Sequence, residues 1–148
     1  MKDYPIEIFN EGSLKFEEGT ILQIADFVRS SINTDFEVFI GWLNIIILKT
    51  DEHTLLNARH LGHDYPTDIL TFEYDEEVVM NGEIYINEEV MVENALEFGV
   101  EVDNELVRLI VHGVLHLAGL DDHTVEEKNF MTRNEEKYLK LIGTKGFM

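Results

Sequence analysis

The stretch 108–124, RLIVHGVLHLAGLDDHT, constrains this chain more than any other. His112 and His116 lie four residues apart inside an apolar run of Leu109, Ile110, Val111, Val114, Leu115 and Leu117. On a helix that spacing is about one turn, or ~6 Å of rise, so both imidazoles share one face. Gly119 predicts the helix stop, because glycine accepts the left-handed backbone needed there. The chain then turns back through Asp121, Asp122 and His123, each a candidate third donor. Taken singly, either histidine reads as a core residue and the acidic turn as a solvated loop. Together they read otherwise, because a buried ring without a polar partner is costly. Two helical histidines and one group from the turn would leave a fourth position open, which a catalytic zinc site requires.

With 148 residues the chain is long enough for one domain with a sizeable core. It contains no cysteine, which excludes disulfides and thiolate metal sites and leaves histidine and carboxylate as the strong ligands. That composition fits a reducing compartment, and a cytoplasmic location is expected. Residues 1–10 have no long apolar region of the secretory type, and no run reaches the length of a membrane span, so no membrane partner is expected. The net charge is −19, from 11 basic and 30 acidic residues, which argues against a sequence-independent grip on nucleic acid. Lys128, Arg133, Lys137, Lys140 and Lys145 concentrate the basic residues near the C-terminus. Glu126, Glu127, Glu135 and Glu136 are interleaved with them, and the whole reads as a solvated helix face.

Residues 4–9 alternate as a short strand, and residues 18–32 have the spacing of an amphipathic helix that Asn33 and Thr34 would break. Residues 36–48 are β-branched and aromatic, interrupted by Gly41, with 45–48 expected to be buried on both faces. Thr50 looks like the N-cap of a helix over 51–60. Pro66 forces an extended entry to a strand over 69–74. An exposed acidic loop is expected over 75–81, followed by a strand over 82–86. Asn87 would cap a helix over 88–98 that Gly99 ends. The histidine helix is expected over 103–118. Thr124 with Glu127 forms a capping box that opens a last helix, to about residue 142. Interspersed strands and helices, without repeat or linker, read as a single compact α+β domain over 1–148, about four strands in a mixed sheet packed with helices.

Three segments carry a resemblance. H-G-V-L-H-L-A-G spans 112–119, P-T-D-I-L-T-F spans 66–72 and G-E-I-Y-I spans 82–86, with Leu56-Asn57 as a weaker upstream match. In this order they resemble the YbeY family of bacterial metal-dependent endoribonucleases. The resemblance implies a zincin-like metal helix and one zinc ion per chain held by three side chains. It also implies a ribosomal RNA precursor as substrate, a role in small-subunit RNA maturation and ribosome quality control, and ribosomal proteins as candidate partners.

Two departures bear on the site. The family pattern His-x3-His-x5-His places Asp122 at the third position, with His123 one residue later. Zinc accepts either. An unchanged turn length favours Asp122 and ligand preference favours His123; the reading leans to Asp122. Where the family has an arginine four residues beyond its asparagine, this chain has Leu61. Arg59 lies out of register and reads as an exposed helix residue, so no catalytic residue is assigned.

Gly113 stands where His-Glu-x-x-His peptidases carry their general base. Candidates for that role are Asp121 and whichever of Asp122 and His123 is not a ligand. Asp68 could orient a ligand histidine from behind. The competing readings are a zinc peptidase-like hydrolase and a non-catalytic metal-binding module associated with the ribosome.

Overall fold

Among the described residues, strands and helices alternate as far as the third strand, a hairpin partner strand follows, and three helices close the chain. In the computed structural model, which describes residues 4–61 and 67–147, the elements are β1 (Ile6–Asn10), α1 (Glu18–Phe36), β2 (Ile40–Leu48), α2 (Thr50–Leu61), β3 (Ile69–Glu76), β4 (Val79–Asn87), α3 (Glu88–Phe98), α4 (Val102–Leu117) and α5 (Val125–Thr144). The strands form one sheet in the order β1-β2-β4-β3. β1, β2 and β4 are parallel, and β3 returns antiparallel along β4 as an edge. This is the mixed sheet expected of an α+β chain.

Side chains alternate across a strand, so one face of the sheet collects Leu43, Ile45 and Ile47 of β2 with Ile84 and Ile86 of β4, all buried. Helices α1 and α4 close over that apolar set, with Ile24, Ala25, Val28, Leu109, Ile110 and Val114 at most 1 % exposed. As expected, 45–48 are all buried. α4 touches α1, α3, α5, β3 and β4, so its position is fixed from several sides.

Caps were legible where the signal is local. The Asn87 side chain accepts from the Val90 N–H, Gly99 ends α3 at φ 67°, and Thr124 with Glu127 forms the capping box of α5. Elsewhere the structure departs from expectation. Asn33 and Thr34 do not break α1, which runs to Phe36. The Asn33 amide instead ties the helix end to β2, accepting from the Ile40 N–H at 2.8 Å and donating to the Ile40 carbonyl at 3.1 Å. Gly41 does not divide β2. It lies inside the strand at a register shift between Ile40 and Leu43, where the Asn81 side chain occupies the space a Cβ would need. Thr50 is not an N-cap: it is the first residue of α2, and its hydroxyl donates to Asn87 Oδ1 at 2.9 Å.

The acidic stretch 75–81 is not a loop. β3 continues to Glu76, β4 starts at Val79, and these two residues pair across a two-residue turn of Glu77 and Val78. Glu77 adopts φ 57°, the positive value such tight hairpin turns need. Pro66, with the entry expected of it, lies outside the described residues.

Candidate metal centre

Ten residues of α4 are buried, and Arg108, His112 and His116 recur along it at four-residue spacing. His112 and His116 are partly buried on one face, their rings edge to face at 4.5 Å between centroids. The Ala118–Gly119 stop follows, with Gly119 at φ 104° and the Leu120 N–H returning to the Leu115 carbonyl. This reversal brings the turn back over the histidines. Asp122 Oδ2 lies 3.4 Å from His112 Nε2 and 3.5 Å from His116 Nε2, and the two Nε2 atoms are 2.9 Å apart.

The outer ring nitrogens explain why these three atoms converge. His112 Nδ1 lies 2.5 Å from Glu135 Oε2, and His116 Nδ1 lies 2.8 Å from the Leu120 carbonyl. An ionised carboxylate and a carbonyl only accept hydrogen bonds, so each Nδ1 carries the proton and donates. In the neutral rings both Nε2 atoms are then lone pairs, facing each other and a carboxylate oxygen. Three acceptors around one point repel unless something positive sits between them. A divalent cation meets that need, and nitrogen with carboxylate oxygen is a donor set zinc accepts. His112, His116 and Asp122 are therefore a group that could hold a metal ion. His123 is exposed and lines the same cavity, but it lies outside this three-atom cluster.

The cluster forms the floor of a cavity of about 420 Å³. Its walls are Asn57 of α2, residues 67–71 leading into β3, and Asp121 to His123 of the turn. Arg59 is exposed on α2, as read from the sequence, and the side chain of Leu61 lies outside the described residues.

Glu135 was missed. Sequence reasoning placed it on a solvated face of α5, yet it is 7 % exposed and lies directly behind His112. Burial alone would raise its carboxyl; the hydrogen bond from His112 and the Arg108 guanidinium outweigh that and hold it below its ordinary value. Arg108 donates to Glu135 Oε1 at 3.0 Å and grips Glu105 with two nitrogens, at 2.6 and 2.8 Å. Among the described residues, Asp68 does not bond to either cluster histidine, whose ring partners are Glu135, the Leu120 carbonyl and each other. It belongs to this network, 3.8 Å from Arg108 Nη2 and accepting from Asn94 at 3.4 Å. The reason is charge: Asp68, Glu105 and Glu135 collect around the Arg108 guanidinium.

A mixed sheet with one antiparallel edge, a buried helix presenting two histidines and an acidic turn folded back over them define a class: α+β proteins with a three-donor cluster open to a cleft. The chain belongs to the family described as Endoribonuclease YbeY, which it matches over residues 9–143. Its relatives include Endoribonuclease YbeY of Chlorobaculum tepidum, 37 % identical over 91 % of this chain and 96 % of that protein. That of Chlorobium phaeobacteroides is 35 % identical over 95 % and 96 %. That of Chlorobium phaeovibrioides is 42 % identical over a shorter match, 60 % of each chain. Among solved structures, a Thermotoga maritima protein determined in solution superposes with a TM-score of 0.65 at 31 % identity, covering 95 % of this chain and 91 % of that one.

Proposed function

We propose that the protein is a zinc-dependent endoribonuclease that cleaves ribosomal RNA precursor during maturation of the small ribosomal subunit, acting in the cytoplasm. The observation that carries this reading is the convergence of His112 Nε2, His116 Nε2 and Asp122 Oδ2 at the floor of an open cleft. Membership of a family named for endoribonuclease activity supplies the substrate class.

His112, His116 and Asp122 would hold one zinc ion. When bound, the ion supplies Lewis acidity toward a phosphoryl oxygen and makes water more acidic. The rest of the work falls to the chain. Glu135 and the Leu120 carbonyl keep both Nε2 lone pairs facing the shared point. Asp121 and His123 line the same cleft without belonging to the cluster, and they are the candidates for moving a proton to or from water. Few basic residues are available for the phosphates, so affinity for RNA would depend on the cation and on a basic partner such as a ribosomal protein.

A peptidase reading is not favoured. In peptidases of that type a glutamate follows the first histidine; here position 113 faces β4, and a Cβ at Gly113 would lie 2.8 Å from Ile84 Cδ1. The test is cleavage of small-subunit ribosomal RNA by native protein beside a His112→Ala, His116→Ala double variant. Native activity that the double variant lacks supports the assignment. Equal cleavage by both overturns it.

A further inference from the structure

We propose that Glu135, braced by Arg108, is a positioning residue that sets the metal affinity of the α4 cluster from the neighbouring helix α5. This rests on the reading of His112, His116 and Asp122 as metal ligands. It assigns a function to two residues that the motif on α4 and its turn does not account for.

The geometry gives each Glu135 oxygen one task. Oε2 accepts from His112 Nδ1 at 2.5 Å, and Oε1 accepts from Arg108 Nη1 at 3.0 Å. Arg108 cannot swing away easily, because its other nitrogens hold Glu105, whose side chain is 1 % exposed. The relay therefore runs Glu105, Arg108, Glu135, His112, with both ends on α4 and the middle carboxylate supplied by α5. A carboxylate hydrogen-bonded to the far nitrogen of a ligating histidine fixes its tautomer and ring orientation and raises its basicity. His116 lacks this assistance. Its Nδ1 donates to a neutral backbone carbonyl, so the two rings are not equivalent. The negative charge behind His112 would strengthen it as a donor to a cation, and Arg108 keeps that charge in place by occupying the second oxygen.

A purely structural part for Glu135 is the competing account, since any buried, paired carboxylate stabilises a fold. Glu88 provides the comparison. It is 5 % exposed, and its oxygens accept from the Ser13 and Leu14 N–H groups at 2.9 and 3.0 Å, which ties α3 to the segment between β1 and α1.

The experiment measures zinc dissociation constants by chelator competition, and visible spectra with cobalt(II) in place of zinc, for native protein, Glu135→Gln, Glu135→Leu and Glu88→Gln. Glu135→Gln keeps an acceptor for His112 but loses the charge, so it folds if any variant does. The proposal predicts roughly 10-fold to 100-fold weaker zinc binding for the Glu135 variants, the leucine weaker than the glutamine. It also predicts a changed cobalt ligand-field spectrum for both. Glu88→Gln should lower the melting temperature while leaving metal affinity and spectrum as in native protein. Native-like affinity and spectrum in Glu135→Gln would overturn the positioning role alone. Failure of the native protein to bind either metal would overturn the ligand assignment itself, and this proposal with it.

Discussion

Gly113 packs directly against Ile84: a Cβ at position 113 would lie 2.8 Å from Ile84 Cδ1 and 3.0 Å from both of its γ-carbons. The helix carrying the two histidines thus rests on β4 at backbone distance, which sets how far the imidazoles stand above the sheet. Gly113→Ala should gain about 0.5–1 kcal/mol from helix propensity and lose about 1–3 kcal/mol from overpacking. A net loss of stability is expected, read as a lower melting temperature. A rise would show that α4 has room to lift from the sheet.

Asp122, not His123, should be the third ligand. Asp122→Ala should lose bound zinc, whereas His123→Ala should keep it. Metal content after dialysis against trace zinc separates the two, and unchanged zinc in Asp122→Ala contradicts the assignment.

His53 introduces an acid sensitivity away from the site. Its ring is fully buried, with Nε2 at 2.9 Å from the Tyr85 carbonyl, and burial lowers its pKa from the ordinary 6.5. The unfolded chain therefore takes up a proton near pH 6.5 that the folded chain still refuses. The associated stability is complete above that pH and declines as pH falls below it, at most about 1.4 kcal/mol per pH unit for one proton. Glutamine can donate to the same carbonyl without titrating. The melting temperature of His53→Gln should fall less steeply than that of native protein between pH 7.5 and 5.5. Parallel curves would exclude the contribution.

RNA binding by the isolated, metal-stripped protein should be weak at physiological salt, as befits a net charge of −19. Added zinc should strengthen it. Filter binding in the low micromolar range or tighter without metal, where nonspecific binding to basic proteins falls at roughly 10⁻⁴ to 10⁻⁶ M, would contradict this view of the surface.

What could be read from the chain depended on how local each determinant is. The histidine spacing, the Gly119 stop and the Thr124–Glu127 box are all set within a few residues, and the structure keeps them. Glu135 escaped because its partners, Arg108 and His112, lie 27 and 23 residues away on another helix. Within α5 its immediate neighbours, Asn134 and Glu136, are polar, so nothing nearby marks position 135 as buried. The hairpin at 75–81 escaped for a different reason. On an edge strand acidic side chains can face solvent, and the turn uses Glu77 at positive φ rather than a glycine.

Zinc titration of chelator-stripped protein tests the central claim most directly. The account predicts one ion per chain in native protein and none retained by the His112→Ala, His116→Ala variant under the same conditions. No uptake by native protein, or equal uptake by both, would contradict it.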